Sequence, residues 1–194
     1  MDGDSETGGK QRQMTKLISL ISIAISAALY VSFYHLNAWL FKAFELHSGA
    51  NWVFLPAGLR LMCTLVFGID GAIGLMVAEL LLMHQNPGID PVTGIVNGLI
   101  SAGAPFLIYR AALRGGMPAS LEKLSASRLS ALALVYALAN SSLFSFWFTV
   151  RGGFPYFVQN WITMFIGDLL GTLIMIYALK IALALFRRDA HQPL

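Results

Sequence analysis

The sequence predicts an all-α integral membrane helix bundle, and three observations support this prediction. Of the 194 residues, 57% are hydrophobic and only 12% are charged, whereas soluble domains carry about 25% charged residues on average. The mean hydropathy is +0.67. Six stretches of the chain are sufficiently apolar for helices in a lipid bilayer. The length leaves room for one membrane domain, and no folded domain is expected outside it.

The six stretches differ in length, which leaves one part of the topology open. A spanning helix needs about 20 mostly apolar residues. The second and third stretches are shorter than this, and Pro56 and Gly58 interrupt the second. These two could form two full spans or a re-entrant pair, and we expect two full spans. The six predicted spans are residues 17–39, 52–67, 71–83, 94–112, 129–148 and 157–186.

The predicted transmembrane domain covers residues 17–188 and lies between two polar tails. Residues 1–16 are rich in glycine and charge, which predicts a disordered cytoplasmic tail. Residues 189–194 are predicted to form a second, short tail. The first apolar stretch is too long for a signal peptide, so we expect a retained first helix. A short amphipathic helix is predicted at residues 119–124, in the loop after the fourth span.

The distribution of basic residues predicts that both termini are cytoplasmic. With six spans, only Lys42 and Arg151 fall in the loops on the other side. Cytoplasmic loops of membrane proteins carry the excess of Lys and Arg. We therefore expect a multi-pass protein of the bacterial cytoplasmic membrane. The basic residues on the predicted inner side are Lys10, Arg12, Lys16, Arg110, Arg114, Lys123, Arg128, Lys180, Arg187 and Arg188.

The sequence lacks the patterns of several functional classes. It has no phosphate-binding glycine loop, no catalytic Ser/His/Asp order and no metal-binding Cys/His spacing. Cys63, the single cysteine, is expected to be a small buried apolar residue. We therefore expect no enzyme, no cofactor, no metal and no nucleic-acid partner.

A set of polar residues lies within the predicted spans, and Asp168 is the costliest of them. A carboxylate at the bilayer centre costs about 2.5–3.5 kcal/mol on insertion scales. Arg60 and Glu79 lie at similar predicted depth, and Asn97 and Asn140 occupy the fourth and fifth spans. Such groups face the interior of a bundle, so we expect them to converge. The guanidinium of Arg60 can pair with Asp168 or with Glu79, and we expect the pair with Asp168, with Glu79 as the competing acid.

This polar cluster has two interpretations, a ligand-binding site or a structural network that holds helices together. One arginine and two acids leave excess negative charge, which requires a protonated acid, a ligand cation or water. Asn160 and Trp161 lie on the same side of the sixth span as Asp168 and extend the candidate site outwards, although Trp161 could instead be an interface anchor. Gly167 and Gly171 have the spacing of close helix packing.

Two blocks of the sequence resemble the first type of bacterial membrane-associated sensor domain (MASE). The first block runs from Trp52 to Arg60 and contains Pro-Ala-Gly, and the second runs from Trp161 to Gly171 and contains Gly-Asp-x-x-Gly. The resemblance implies a sensory module that signals to a cytoplasmic kinase or a cyclic-di-GMP enzyme. Family members often have more spans and a fused output domain. Here we therefore expect a module that binds a small ligand or senses the state of the membrane and signals in trans to a separate cytoplasmic or membrane protein. The matching positions are Pro56, Gly58, Trp161, Gly167, Asp168 and Gly171.

Two alternatives to sensing in trans remain open. Six spans with short loops and a polar interior resemble the substrate-binding subunits of energy-coupling-factor vitamin transporters, and the turn from Val66 to Gly74 is similar to that family. That resemblance implies capture of a small molecule for transport with partner subunits. The second alternative is an accessory or scaffold subunit of the membrane. The expected partners are the lipid bilayer, a separate signalling or transport protein and a small molecule.

Overall fold

The computed structural model describes residues 3–47, 50–117, 125–152 and 157–190. The short helix predicted at residues 119–124 and the last residues of the C-terminal tail lie outside these ranges. The predicted helical bundle is confirmed, and a small antiparallel hairpin of strands β1 and β2 is added to it. The elements in chain order are α1 (Gly3–Leu40), a 3-10 turn (Lys42–Phe44), β1 (Glu45–His47), β2 (Ala50–Asn51), α2 (Leu55–Phe67), α3 (Ile69–Gln85), α4 (Pro91–Arg114), α5 (Ala126–Val150) and α6 (Phe157–Ala190).

Within the described ranges, four helices are long and apolar enough to cross a membrane. They comprise residues Gly8–Leu40, Pro91–Arg114, Ala126–Val150 and Phe157–Ile181. Four apolar helices of this length are compatible with a multi-pass membrane protein. Helices α2 and α3 are shorter, with 13 and 17 residues, and they are separate helices joined at Gly68. Gly68 turns the chain with φ 59°, a value that glycine adopts without steric cost.

The helix α1 begins at Gly3, so it includes most of residues 1–16, where the sequence predicts a disordered tail. A helix that has already formed in an apolar segment extends at little cost, because each added residue gains a hydrogen bond without a new nucleation step. The structure therefore places Lys10, Arg12 and Lys16 on a continuous helix.

The short helix α2 is the centre of the bundle, because it packs against each of the other five helices. Ten of its thirteen residues are buried, Arg60 among them. Leu61 and Leu65 form a core cluster with α5 residues such as Tyr136, and Cys63 joins a second cluster between α1 and α3. The buried position of Cys63 agrees with the prediction from the sequence.

The entry into α2 is an extended segment, residues 50–54, that lies against the middle of α6. The backbone N–H of Phe54 donates to the carbonyl of Gly167 at 3.1 Å. A Cβ atom at Gly167 or Gly171 would overlap the carbonyl oxygen of Asn51 or Phe54, respectively. Gly167 lies about 15 Å along α6 from its first residue. Irregular backbone at such depth is tolerated only where protein or a cavity surrounds it.

Asp90 is the N-cap residue of α4 and holds the loop before this helix in place. Asp90 accepts a hydrogen bond from the backbone N–H of Thr93 at 3.2 Å, and Pro91 occupies the first helical turn. The hydrogen bonds from Thr93, with Arg151 beside it, hold the pKa of Asp90 below its usual range. Arg151 pairs with Asp90 at 3.1 Å. The end of α5 is thereby joined to the start of α4.

Candidate functional site

A cavity of about 610 Å³ reaches from the loops at one end of the bundle into its middle. Its mouth includes the exposed residues Asn86, Pro87 and Gly88 between α3 and α4. Its interior is lined by Arg60 and Asp168, which are 4% and 3% exposed. The volume falls in the range of small-molecule sites, about 300–1,000 Å³. The cavity therefore connects the surface with the most deeply buried charges of the described chain.

The wall of the cavity combines polar residues with aromatic rings. All six α-helices contribute to it, and the extended segment before α2 adds Asn51 and Phe54. Rigid helices hold such side chains more precisely than loops do. The aromatic residues of the wall are Tyr34, Phe54, Phe144 and Phe148.

On one side of the cavity, Glu79 is the acceptor of a dense hydrogen-bond network. Its Oε1 atom accepts from Arg60 Nη2 at 2.9 Å, from Tyr30 Oη at 2.7 Å and from Ser101 Oγ at 2.6 Å. The guanidinium of Arg60 also donates to Tyr30 Oη. This network joins α1, α2, α3 and α4. It neutralises the charge of Glu79 with that of Arg60, as a buried ion pair requires.

Aromatic rings enclose the guanidinium of Arg60. Its Cζ atom lies 5.1 Å from the ring centroid of Tyr30, 5.4 Å from that of Phe54 and 5.1 Å from that of Phe144. A cation over a ring face within about 6 Å is attracted by the ring quadrupole. Arg60 is thus held by an acid and by three rings, and its position is closely defined.

On the other side of the cavity, Asp168 has a much simpler environment. Its Oδ2 atom accepts a hydrogen bond from Asn140 Nδ2 at 2.6 Å, which joins α6 to α5. Asn140 itself is fully buried. Among the described residues, the ion pair of Arg60 is with Glu79 and not with Asp168. The expected pair of Arg60 with Asp168 is therefore wrong, and the competing acid Glu79 forms the ion pair instead.

Several buried polar atoms have no hydrogen-bond partner within the described part of the chain. Three of these belong to cavity residues: Arg60 Nε, Asn97 Oδ1 and Asn140 Oδ1. Most buried polar atoms in proteins are hydrogen-bonded, so unpaired ones in a cavity indicate a ligand or water. The two amide oxygens are acceptors and require a donor.

The structure brings together five of the seven residues that the sequence proposes for a polar site. Arg60, Glu79, Asn97, Asn140 and Asp168 all line the cavity. The remaining two lie apart from its wall. Asn160 is fully buried, with both amide atoms unpaired among the described residues. Trp161 stacks on Phe165 and donates to Ser142 Oγ at 3.0 Å.

The four positions proposed as structural motif act at the junction of α2 and α6. Pro56 is fully buried in the first turn of α2. A Cβ atom at Gly58 would lie 2.5 Å from the Cβ atom of Met175 on α6. Gly167 and Gly171 in turn accommodate the backbone before α2. These residues let two helices and an extended segment approach closely beside Asp168.

Three residues of the site were missed from the sequence. Tyr30 and Ser101 belong to the Glu79 network, and Asn37 accepts from the backbone N–H of Leu55 at 2.9 Å while it lines the cavity. Ser101 follows Asn97 by four residues, so helical spacing could have placed both on one face. Tyr30 lies inside the first span rather than at its end, where tyrosine is common. A tyrosine at that depth could therefore have been predicted to contribute its hydroxyl group to the polar cluster.

No family model, no curated protein and no solved structure matches this chain. The function is therefore argued from the geometry of the cavity.

Proposed function

We propose that this protein is a bacterial inner-membrane sensory module that binds a small molecule from outside and signals to a separate protein. The observation that carries the proposal is the cavity that connects exposed loop residues with Arg60 and Asp168. A scaffold subunit does not need a cavity that leads from the surface to buried charges, whereas a receptor for a small molecule does. The aromatic–Pro-Ala-Gly and Gly-Asp-x-x-Gly blocks, which resemble those of membrane-associated sensor domains, form the junction of α2 and α6 beside this cavity.

In the proposed topology the chain crosses the membrane six times with both termini in the cytoplasm. Helix α2 is short, and the extended residues 50–54 complete its crossing. The cavity mouth then faces outwards, because residues 86–88 lie on the side with few basic residues. Ligand binding between α5, α6 and α2 would shift α6, which leads to the cytoplasmic end. Such a shift requires that the ligand bind the two states with different affinity.

The second candidate is a substrate-binding subunit of a small-molecule transporter. The same outward-facing cavity of about 610 Å³ favours it, since capture of a substrate also begins with a site open to one side. The two candidates share ligand binding and differ in its consequence. Transport moves the ligand into the cell, whereas sensing changes the activity of a partner and leaves uptake unchanged.

Binding can be tested on purified protein in detergent with the small-molecule fraction of a bacterial extract. We expect the fraction to raise the thermal unfolding midpoint and a small molecule to be retained in native mass spectrometry. Ala38→Trp fills the mouth of the cavity and should abolish both effects. Ala28→Trp is the matched control, because Ala28 is exposed on the same helix and does not line the cavity. An extract that changes neither the midpoint nor the mass spectrum of the wild type would refute the proposal.

A deletion strain separates sensing from transport once the retained molecule is identified. The sensory function predicts normal uptake of the labelled molecule and loss of the cell's transcriptional response to it. Loss of uptake in the deletion strain, restored by the wild-type gene and not by Ala38→Trp, would establish the transport function instead.

A further inference from the structure

We propose that the cavity binds a small organic cation that carries N–H donors. This inference rests on the proposed ligand-binding function and names the chemical class of the ligand. Three independent features of the cavity support it: its charge, its unpaired acceptor atoms and its aromatic wall.

Among the described residues, the buried interior of the cavity carries one positive side chain, Arg60, and two negative ones, Glu79 and Asp168. Four charged side chains line the whole cavity: Lys42, Arg60, Glu79 and Asp168. Arg60 and Glu79 neutralise each other at 2.9 Å. Lys42 is exposed at the mouth, where water and salt screen its charge. Asp168 therefore remains, 3% exposed and hydrogen-bonded to a neutral amide, and a ligand cation would supply its counter-charge.

Of the three cavity atoms that are unpaired in the described ranges, two are asparagine oxygens that require donors, and the third, Arg60 Nε, is itself a donor. The Asn140 Nδ2 atom donates to the Asp168 carboxylate, which fixes the orientation of the amide and leaves Oδ1 as its acceptor. That oxygen is buried and unpaired within the described chain, as is Oδ1 of Asn97. Both residues line the cavity. A ligand N–H group can satisfy these oxygens, whereas an ionised carboxylate offers only acceptors.

The aromatic wall favours the same ligand class. Phe54 and Phe144 already hold a cation, the guanidinium of Arg60, over their faces. Together with Tyr34 and Phe148 they give the cavity an apolar surface for the body of the ligand. Ring faces attract cations and repel anions. A ligand that combines an ammonium or amidinium group with a flat apolar body therefore fits all three features.

A series of four probes with one common body tests this inference on purified protein. Tryptamine carries a protonated primary amine at neutral pH, tryptophol is its neutral alcohol and indole-3-propionate is an anion. N,N,N-trimethyltryptammonium keeps the charge and lacks N–H groups on the charged nitrogen. We expect tryptamine to bind most tightly, as measured by calorimetry. The other three probes should bind about tenfold or more weakly, since each loses a charge-assisted hydrogen bond.

The variant Asp168→Asn should weaken tryptamine binding about 10- to 100-fold and leave tryptophol binding nearly unchanged. Asp70→Asn is the matched control: Asp70 is partly buried in α3, accepts from Ser19 at 2.7 Å and lies outside the cavity wall. It should bind all four probes as the wild type does. A retained preference for tryptamine in Asp168→Asn would overturn the role of Asp168.

The outcomes distinguish the ligand class from the proposed function. If tryptophol or indole-3-propionate binds as tightly as tryptamine, or if tryptamine fails to bind at millimolar concentration, the cationic class is wrong. The ligand-binding function would still stand when the extract stabilises the wild type and not Ala38→Trp. The ligand-binding function fails as well when the extract changes neither the unfolding midpoint nor the mass spectrum of the wild type.

Discussion

The two acids of the cavity, Glu79 and Asp168, have contrasting environments. Three donors from three other helices converge on one oxygen of Glu79, and one of them is a guanidinium. Asp168 is more deeply buried and accepts from a single amide, Asn140. Both are costly charges within one bundle, and among the described residues only Glu79 is offset by an opposite charge in an ion pair. A bundle that merely needed cohesion would have paired both.

This contrast separates structure from function within one cavity. A buried charge that is paired and hydrogen-bonded contributes to specificity of folding, and removal of its partner is strongly destabilising. A buried charge with unpaired acceptors beside it costs free energy in the empty protein, and that cost is reversed when a ligand supplies the missing contacts. We therefore assign the Glu79 side to the framework and the Asp168 side to the ligand. The following predictions test this division.

The largest effect is expected from Arg60→Met, which removes the cation from the Glu79 network. Glu79 is then left as an uncompensated charge that is 12% exposed, and the free energy of unfolding should fall by up to about 3–5 kcal/mol, the cost for a fully buried pair. Denaturation with sodium dodecyl sulfate in mixed micelles measures this loss. The double variant Arg60→Met/Glu79→Leu should recover part of it, because the orphaned charge is gone. Lys42→Met, at the exposed mouth, is the control and should cost little. Wild-type stability of the single variant would contradict the framework role.

The second largest loss of stability is expected where Phe54 packs against α6. The ring of Phe54 lies over Arg60, and its carbonyl contacts Gly171. In Gly171→Ala the added methyl overlaps this carbonyl oxygen, and overpacking of this kind costs about 1–3 kcal/mol. Gly103→Ala is the matched control, because nothing lies within 4 Å of a Cβ atom there. It should be neutral or stabilising, since alanine favours the helix. Equal thermal midpoints for both variants would show that the close approach at Gly171 can relax.

A smaller effect is expected from two buried tyrosines that differ in their hydroxyl contacts. Tyr30 donates to Glu79 and accepts from Arg60, whereas the Tyr136 hydroxyl lies near Arg60 and makes no hydrogen bond of ordinary geometry in the described ranges. Tyr30→Phe should cost about 1–2 kcal/mol, which lies between a typical hydrogen bond at about 0.5–1.5 kcal/mol and one to a charged group at about 1.5–3 kcal/mol. Tyr136→Phe should cost less or be stabilising. Thermal unfolding of the two variants, side by side, measures the difference, and a larger cost at Tyr136 would reverse the interpretation.

The sequence predicted the helices and most of the polar convergence, and the reasons are physical. Apolar length defines spans in a bilayer, and buried charge must face an interior. Five cavity residues were therefore identified from their depth alone. The pairing of Arg60 was not, because Glu79 and Asp168 lie at similar depth and differ only in tertiary contacts. Tyr30 and Ser101, which decide the pairing in favour of Glu79, carry no charge to mark them.

The extended entry into α2 shows a second limit of sequence reasoning. Residues 52–54 are apolar and were predicted to begin the second span, but the helix begins only at Leu55. The decisive contact is between backbone atoms, from Phe54 N–H to the carbonyl of Gly167, far along the chain. A helix pattern cannot reveal a backbone contact with another helix. The Gly-x-x-x-Gly spacing on α6 did indicate close packing, although not its partner.

The smallest effect on stability is expected from Asp168→Asn, and it is the sharpest test of the division. Glu79→Gln and Asp168→Asn are the same isosteric change, from carboxylate to amide, at a partly buried and a buried site. Glu79→Gln leaves Arg60 without a counter-charge and should be clearly destabilising. Asp168→Asn removes a charge that no ion pair offsets, and the new amide can still hydrogen-bond Asn140, so the free energy of unfolding should change by less than about 1 kcal/mol or rise. Unfolding of both variants without ligand measures the comparison. If Asp168→Asn lowers the free energy of unfolding as much as Glu79→Gln does, both acids belong to the framework. Removal of a charge destabilises the fold this strongly only when the charge has a stabilising partner.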